Sequence, residues 1–413
     1  MFTTRDIRGV FGKDITPDKL KALSMVLSHI ATQITIGMDY RKQNEKILEG
    51  VLSNFQGSVR YLDRISSPAV AYLAEQLGVC ITASHNPPVY NGIKFFKPKR
   101  ILYADEVENL RNQYLEMLEK KEPLQNSRKI RLEIDEDLVQ QYITAIPEIQ
   151  DGIYDLCGGA ACRFNSRFPE TIFNKPDPTF QFHAPEPKEN TLDHLKEATK
   201  KKTKVGYAFD GDADRIVLVV NGKLIPGDIL IAYTAEHYLK ENDKVILSLD
   251  CSQEVFDYIR DVGCNPIYAA VGQNLLIVEA IKTKAAFIGE FSGHYSFVEF
   301  MYYSDPLYFV GKISDTKPAD LQTFLPQFQN IILREKIEGK IDYALLKQAL
   351  EKWTDQFVLL DGIKAILKDD NAAILIRHSQ SEPITRINVE SKNLKEATRI
   401  FGDLKEVIKN IIK

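Results

Sequence analysis

Ile81-Thr82-Ala83-Ser84-His85-Asn86-Pro87-Pro88-Val89-Tyr90-Asn91-Gly92-Ile93-Lys94-Phe95-Phe96 begins at the end of the apolar run Gly78-Val79-Cys80-Ile81 and breaks at once into turn residues. A short apolar run followed by a polar, proline-rich loop reads as a buried strand delivering that loop. Open α/β sheets place reactive groups at such strand ends. Ser84, between Ala83 and His85 and with Lys94 nearby, is therefore a candidate nucleophile or phosphate carrier. The competing reading is an ordinary turn whose serine caps a helix. Working outward, Thr16-Pro17 opens a helix over 17–33, and Ile34 to Arg41 reads as a strand running into a loop. A second helix follows from about Asn44, then a weak strand near Val59–Tyr61 and a helix through Leu77. This alternation predicts a parallel or mixed sheet covered by helices.

A second strand-to-loop signal carries more chemistry. Val205-Gly206-Tyr207-Ala208-Phe209 delivers Asp210-Gly211-Asp212-Ala213-Asp214-Arg215. In extended chain, residues two apart point to one side, so the three carboxylates can converge. Close carboxylates repel one another, and hard oxygen ligands at this density suit Mg²⁺. Arg215 can grip a phosphate bidentately. The alternatives are a solvated acidic turn or an aspartyl-phosphate loop, but the chain lacks the Asp-x-Asp-x-Thr spacing of that phosphatase class. The residues that follow, Ile216–Val220, Asn221-Gly222 and Lys223–Ile225, read as a hairpin.

Length and composition bound the remainder. The chain has 413 residues, too many for one ordinary core, so two to four domains are expected. It is 44% hydrophobic and 27% charged, with a net charge of −4 and no long basic face, which argues against a nucleic-acid binder. Lys200-Lys201-Lys202 reads as a solvated helix end. None of the five cysteines, Cys80, Cys157, Cys162, Cys251 and Cys264, forms a CxxC pair, as expected of reduced cysteines in a cytoplasmic protein. No signal peptide and no membrane span are expected. Cys157-Gly158-Gly159-Ala160 reads as a plain turn, 167–190 as a proline-rich surface loop, and Lys121–Ser127 as a linker. Residues 303–345 show little pattern, whereas Ala372–Ile376 and Thr385–Glu390 read as strands before a helix from Leu394. Arg377, Ser379, Ser381 and Arg386, with loop N–H groups, can form a nest for a dianion.

In order, Asp6-Ile7-Arg8-Gly9, the Ser84 loop, the acidic loop, Gly289-Glu290-Phe291-Ser292-Gly293-His294 and Arg377-His378-Ser379-Gln380-Ser381-Glu382-Pro383 with Arg386 resemble the motifs of the α-D-phosphohexomutases, a family that includes phosphoglucomutase and phosphomannomutase. The resemblance runs from residue 5 to about residue 390. It implies an α/β chain of three similar mixed-sheet α/β domains followed by a smaller α+β C-terminal domain. They are drawn at 1–124 (phosphoserine loop), 125–228 (metal), 229–345 (sugar loop) and 346–413 (phosphate). It implies that Ser84 is phosphorylated and shares Mg²⁺ with Asp210, Asp212 and Asp214. Lys94 and His85 would serve the proton transfers and hold the phosphoryl group, and Arg8 and Arg215 would lie near it. Glu290, Ser292 and His294 would contact the sugar. Arg377, Ser379, Ser381 and Arg386 would hold the phosphate that is not reacting.

The implied activity interconverts hexose 1-phosphate and hexose 6-phosphate, with glucose 1,6-bisphosphate or a related hexose bisphosphate as activator. Phosphoglucomutase/phosphomannomutase is the leading subtype, because Phe291 stands where phosphoglucosamine mutases often carry glutamine. Expected partners are hexose phosphates, with no nucleic acid or membrane, in a monomer or homodimer. The chain departs from the family at Asn274, where Lys or Arg is usual, at Gln380, and at Tyr303-Ser304-Asp305-Pro306, which replaces an aspartate-glycine. A degenerate sugar-phosphate-binding protein and a metal-dependent sugar phosphatase are the competing functions.

Overall fold

The computed structural model describes residues 2–3, 5–120, 132–367, 372–379 and 383–412, so the linker expected at Lys121–Ser127 lies outside the described residues. The chain forms two compact units. The first comprises Met1–Pro226, Ala286–Ile288 and Ser292–Gln322; the second comprises Gly227–Ala285, Gly289–Phe291 and Thr323–Lys413.

The first unit opens with β1 (Ile7–Val10), β2 (Gln33–Met38), β3 (Ser58–Arg64), β4 (Leu77–Ile81), β5 (Tyr90–Lys97) and β6 (Arg100–Ile101), ordered β1-β5-β4-β2-β3 with β6 on β5. β2 lies parallel to β3 and β4, whereas β5 is antiparallel to β4 and β1, so the sheet is mixed. β4 is buried throughout, which is why it reads as an unbroken apolar run rather than an alternation. The helix expected to reach Leu77 ends at Leu73. Its place is taken by a turn in which the Gln76 carboxamide oxygen accepts from the backbone of Thr32 and Gln33, and Leu77 opens β4.

A second sheet is built from β7 (Ile153–Asp155), β8 (Thr171–Ile172), β9 (Val205–Phe209), β10 (Ile216–Val220) and β11 (Lys223–Leu224), ordered β11-β10-β9-β7-β8. The hairpin expected at Asn221-Gly222 is present, with both residues in the left-handed region at φ 50° and 75°. The plain turn expected at Cys157–Ala160 is more than that. Ala160 N–H donates to Gly211 O at 2.9 Å, and a Cβ on Gly159 would stand 2.6 Å from the same oxygen. Only glycine lets this backbone lie against the acidic loop.

In the second unit β12 (Lys244–Ser248) and β13 (Asn265–Ala269) pair in parallel, linked by the helix Gln253–Asp261. β14 (Phe287–Gly289) and β15 (Tyr295–Phe297), whose residues other than Gly289 belong to the first unit, bracket the Glu290–His294 loop. The chain ends in an antiparallel sheet of β16 (Ile331–Glu338), β17 (Phe357–Leu359), β18 (Gly362–Leu367), β19 (Ala372–His378) and β20 (Ile384–Ser391), ordered β16-β20-β19-β18-β17. The helices Tyr343–Leu350 and Leu394–Ile412 pack one face of it through Leu346, Leu350, Ile400 and Leu404. β16, from the stretch with little sequence pattern, belongs to this sheet although it precedes the expected boundary at 346. The architecture is thus several α/β sheets followed by a small α+β end. Among the described residues no helix is long and apolar enough to cross a membrane.

Candidate active site

The β4–β5 connection carries Ser84 into the interior of the first unit, where it is only 2% exposed. Ser84 sits at φ 51°, a left-handed conformation that costs a non-glycine residue about 1 kcal/mol or more. The loop is over-determined by its neighbours. Ser84 N–H donates to Thr82 Oγ1 at 2.9 Å, and Thr82 Oγ1 donates to Asp39 Oδ2 at 2.6 Å. Arg41 then gathers four loop carbonyls. Its Nη2 donates to Ser84 O and Asn86 O, both at 2.6 Å, and its Nη1 donates to Pro87 O at 2.9 Å and Tyr90 O at 3.1 Å. Asp39 balances it, with Oδ2 at 3.2 Å from Arg41 Nε. Sequence reading passed over Asp39 and Arg41. Their signal was present: an acid and a base set at the end of the apolar strand β2.

The Ser84 hydroxyl donates to Asp210 Oδ2 at 3.0 Å and lies 3.3 Å from His85 Nδ1. The two loops touch through Gly211, where a Cβ would stand 2.6 Å from Ser84 O. Asp210, Asp212 and Asp214 are all buried, and one oxygen from each lies within 4.8 Å of the others. Asp210 Oδ1 accepts from the backbone N–H groups of Asp214 and Arg215, which curls the loop. Lys94, on β5, points into the cluster, with Nζ at 2.7 Å from Asp212 Oδ2 and 2.6 Å from Asp214 Oδ2. Asp212 Oδ1 and Asp214 Oδ1 are buried without a hydrogen-bond partner. Two orphaned carboxylate oxygens beside a third carboxylate and a hydroxyl form a hard-oxygen donor set, which fits Mg²⁺.

The electrostatics follow from this crowding. Burial, then the neighbouring Asp214 and Asp212, push Asp210 well above the usual carboxylate range. Burial also acts to raise Asp214, but Lys94, His294 and Arg215 outweigh it and hold it well below. Burial acts against the Lys94 ammonium, yet Asp212 and Asp214 hold its pKa well above the usual lysine value. Lys94 is thus a cation and proton donor in this arrangement rather than a base. His85 is driven to its neutral form by Arg215, burial and Arg8.

The structure brings most of the expected residues of this site together. Arg8 is held by Asp6, at 2.8 Å from its Nε and 2.7 Å from its Nη2, which leaves Nη1 buried without a partner. His294 lies against the acidic loop, with both ring nitrogens engaged: Nδ1 at 2.8 Å from Asp214 O, and Nε2 at 3.1 Å from Arg215 Nε. Arg215 Nε can only donate, so His294 Nε2 accepts and Nδ1–H donates to the carbonyl. The Ser292 hydroxyl is buried without a partner. Burial lowers the His294 pKa to about 3. The unfolded ring titrates near 6.5, so stability is complete above that pH and falls as pH drops from 6.5 toward 3. Metal-free protein taken from pH 7 to pH 5 is expected to lose roughly 2 kcal/mol through this group. Urea unfolding at the two pH values checks it, and His294→Gln should remove this part of the loss.

Tyr303, one of the departures, also belongs to this cluster. Its buried hydroxyl donates to Asp214 Oδ2 at 2.6 Å and accepts from Lys94 Nζ at 3.2 Å. Ser304 Oγ donates to Asp214 O at 2.8 Å. Asp305 caps the helix Pro306–Ile313 by accepting from Leu307 N–H and Tyr308 N–H.

Other expected residues lie in the second unit. Glu290 is buried there, at 7% exposure. Arg377 Nε lies 2.5 Å from Asp361 Oδ2, and Arg377 and Arg386 line one cavity. Ser379 N–H donates to Ile384 O at 2.8 Å. Ser381 and Gln380 lie outside the described residues. Asn274 is buried with its Oδ1 unpartnered.

Comparison with known proteins places this geometry in a family. Residues 1–120, 154–223 and 226–314 match phosphoglucomutase/phosphomannomutase alpha/beta/alpha domains I, II and III respectively. A probable phosphoglucosamine mutase of Methanocella arvoryzae is 29% identical, over 100% of this chain and 98% of that protein. A phosphomannomutase of Methanocaldococcus jannaschii is 28% identical, over 99% and 97%. In fold, the chain is similar to the crystal structure of a phosphoglucomutase/phosphomannomutase family protein from Burkholderia thailandensis (TM-score 0.84, 20% identity, 100% and 98% covered). The three matched domains and the full-length relatives agree: this chain belongs to the phosphoglucomutase/phosphomannomutase family of phosphohexomutases.

Proposed function

We propose that the protein interconverts hexose 1-phosphate and hexose 6-phosphate through phosphorylated Ser84 and a hexose 1,6-bisphosphate. The observation that carries the reading is the Ser84 hydroxyl 3.0 Å from Asp210, inside a buried triad of carboxylates with orphaned oxygens. Asp210, Asp212, Asp214 and Ser84 would hold Mg²⁺, which when bound neutralises phosphoryl charge. Phosphoryl transfer asks the protein chiefly for positioning and charge, and these residues supply both. As the sugar hydroxyl oxygen bonds to phosphorus, the bond between phosphorus and Ser84 Oγ breaks. The sugar hydroxyl loses its proton and Oγ regains one, and so becomes the hydroxyl that donates to Asp210. Lys94 and the free Nη1 of Arg8 are the cationic donors for the phosphoryl oxygens, and neutral His85 orients Oγ. The bisphosphate then turns over and returns its other phosphate to Ser84.

His294 acts by fixing Arg215, and Glu290 and Ser292 accept and donate to sugar hydroxyls. The C-terminal cradle of Arg377, Ser379, Ser381 and Arg386 holds the phosphate that is not reacting. The four-domain division is retained, with its last boundary moved ahead of β16. The cysteines Cys80, Cys157, Cys162, Cys251 and Cys264 are buried and unpaired, which suits work in the reducing cytoplasm. Phe291 favours glucose and mannose phosphates. Glucosamine phosphate is the second substrate class, supported by the relatives that carry that name.

The test is ³¹P NMR with Mg²⁺, glucose 1-phosphate and a trace of glucose 1,6-bisphosphate, repeated with mannose and glucosamine 1-phosphates. Growth of a 6-phosphate signal, abolished by EDTA and restored by Mg²⁺, is expected. Growth of inorganic phosphate instead would make it a phosphatase. No change with any of the three sugars would leave a binding protein.

A further inference from the structure

Two neighbouring hydroxyls close on one aspartate of the acidic loop, and neither has a part in the chemistry described above. Tyr303 Oη lies 2.6 Å from Asp214 Oδ2, and Ser304 Oγ lies 2.8 Å from the Asp214 carbonyl oxygen. All three residues belong to the first unit. Lys94 Nζ can only donate, so the phenol oxygen accepts from it at 3.2 Å, and the phenol proton is left for the Asp214 carboxylate. Ser304 Oγ accepts from Tyr295 N–H at 2.9 Å and gives its own proton to the nearer of two carbonyls, Asp214 O at 2.8 Å against Tyr295 O at 3.1 Å. The tyrosine is itself fixed. It is 0% exposed, its ring centroid is 5.0 Å from that of Phe96, and its N–H donates to Lys99 O at 3.2 Å. Phe96 and Lys94 are two apart on β5 and so share one side of the strand.

The consequence is the direction in which Asp214 faces. Its Oδ2 takes two donors, the Lys94 ammonium and the Tyr303 hydroxyl, both at 2.6 Å. Its Oδ1 is buried without a hydrogen-bond partner, as is Asp212 Oδ1. A carboxylate with one oxygen saturated and the other open is set to give a metal ion a single ligand atom. Lys94 alone would not keep it so. The ammonium has three donors, and Asp212, Asp214 and Tyr303 occupy them. A phosphoryl oxygen that binds Lys94 must draw one of those donors away, whereas Tyr303 stays on Asp214 Oδ2 throughout. Partners that orient a ligating carboxylate in this way contribute to metal affinity although they never touch the ion.

We infer that Tyr303 is a positioning residue of the metal centre, which together with Ser304 holds Asp214 so that Oδ1 stays available to the ion while Lys94 turns to the phosphoryl group. The inference rests on the mutase reading for the ion and the phosphoryl group. It gives a task to two residues at which the chain departs from the family pattern.

The test is Tyr303→Phe, which removes the hydroxyl and keeps the ring against Phe96. Tyr142→Phe is the control, because it removes another buried hydroxyl of the same unit, one that donates to Asp305 Oδ2 at 2.8 Å and not to the acidic loop. Mn²⁺ stands in for Mg²⁺, since both take oxygen ligands, and the free ion is counted by electron paramagnetic resonance in protein without sugar. Turnover of glucose 1-phosphate is then followed against Mg²⁺ concentration. Tyr303→Phe is expected to weaken Mn²⁺ binding about tenfold and to raise the Mg²⁺ needed for half-maximal turnover by a similar factor, with kcat at saturating Mg²⁺ held within about threefold. Ser304→Ala should weaken Mn²⁺ binding by about threefold, since His294 still holds the same carbonyl. Tyr142→Phe should melt at a lower temperature and bind Mn²⁺ as wild type does. Mn²⁺ binding within about twofold of wild type in folded Tyr303→Phe would overturn the inference, and so would an equal loss in Tyr142→Phe, which would trace the effect to packing. If Tyr303→Phe fails to fold, Ser304→Ala decides by the same binding. Wild-type protein that binds Mn²⁺ and turns over none of the sugars would overturn the mutase reading and leave the binding comparison to judge Tyr303.

Discussion

Ser84→Ala is expected to lower turnover by at least about a thousandfold, since Ser84 Oγ is the phosphoryl carrier of the proposed mechanism. The fold should survive. The Ser84 hydroxyl bonds Asp210 and His85, and the backbone of Ser84 is held by Arg41 and Thr82 rather than by its own side chain. Intact-mass spectrometry after incubation with glucose 1,6-bisphosphate should find a phosphorylated fraction in wild type and none in the variant. Ser84→Gly makes a useful companion. It removes the same hydroxyl, but glycine occupies φ 51° without strain, so it should unfold at a temperature no lower than the alanine variant. Turnover within tenfold of wild type in either variant would remove Ser84 from the mechanism.

The second large effect is expected at a residue that touches no substrate. Arg41 is 1% exposed and its guanidinium holds four carbonyls of the Ser84 loop. Arg41→Met would strand those carbonyls and leave Asp39 a buried charge without its partner, a loss of roughly 3–5 kcal/mol. Arg41→Lys is the more informative change. An ammonium keeps the charge beside Asp39, but its three donors on one atom cannot span carbonyls that Arg41 reaches from two nitrogens. The variant should fold, with Ser84 displaced by a fraction of an ångström or more, and kcat should fall on the order of 100-fold while KM changes little. Stopped-flow turnover beside a melting curve separates this from simple destabilisation. A kcat loss that tracks only the fraction unfolded would make Arg41 a structural residue and no more.

What could be read in the chain and what could not divide along the distance between interacting residues. Ser84 with Lys94, and Asp210 with Asp212, Asp214 and Arg215, were legible because each group lies within one short segment behind an apolar strand. The Arg41 cluster was not, since it acts on carbonyls 43 to 49 positions away and nothing local marks it. Tyr303 was visible as a departure from the family pattern, but its meaning was not. Only folding brings its hydroxyl to Asp214, 89 positions distant. Asp305 shows why the altered turn is tolerated: it still caps its helix, with Pro306 at the first helical position, where no N–H is needed. β16 escaped reading because an edge strand with Arg334, Glu335, Lys336 and Glu338 lacks a clean apolar alternation. Gly159 looked like part of a turn because the backbone it accommodates lies 52 residues further along the chain.

The contact between Gly211 and Ser84 has a bearing on how the chain folds. The reactive cluster is joined by hydrogen bonds that reach across 126, 118 and 89 positions, and none of its loops can take its final form alone. Contacts of such long range form late, after the loops they close have been ordered. A nascent chain that has completed only its first sheet therefore holds Ser84 and Lys94 without the carboxylates that bond to them. Backbone amides around Ser84 should exchange with deuterium together with those around Asp212, as one cooperative block, although they belong to different sheets.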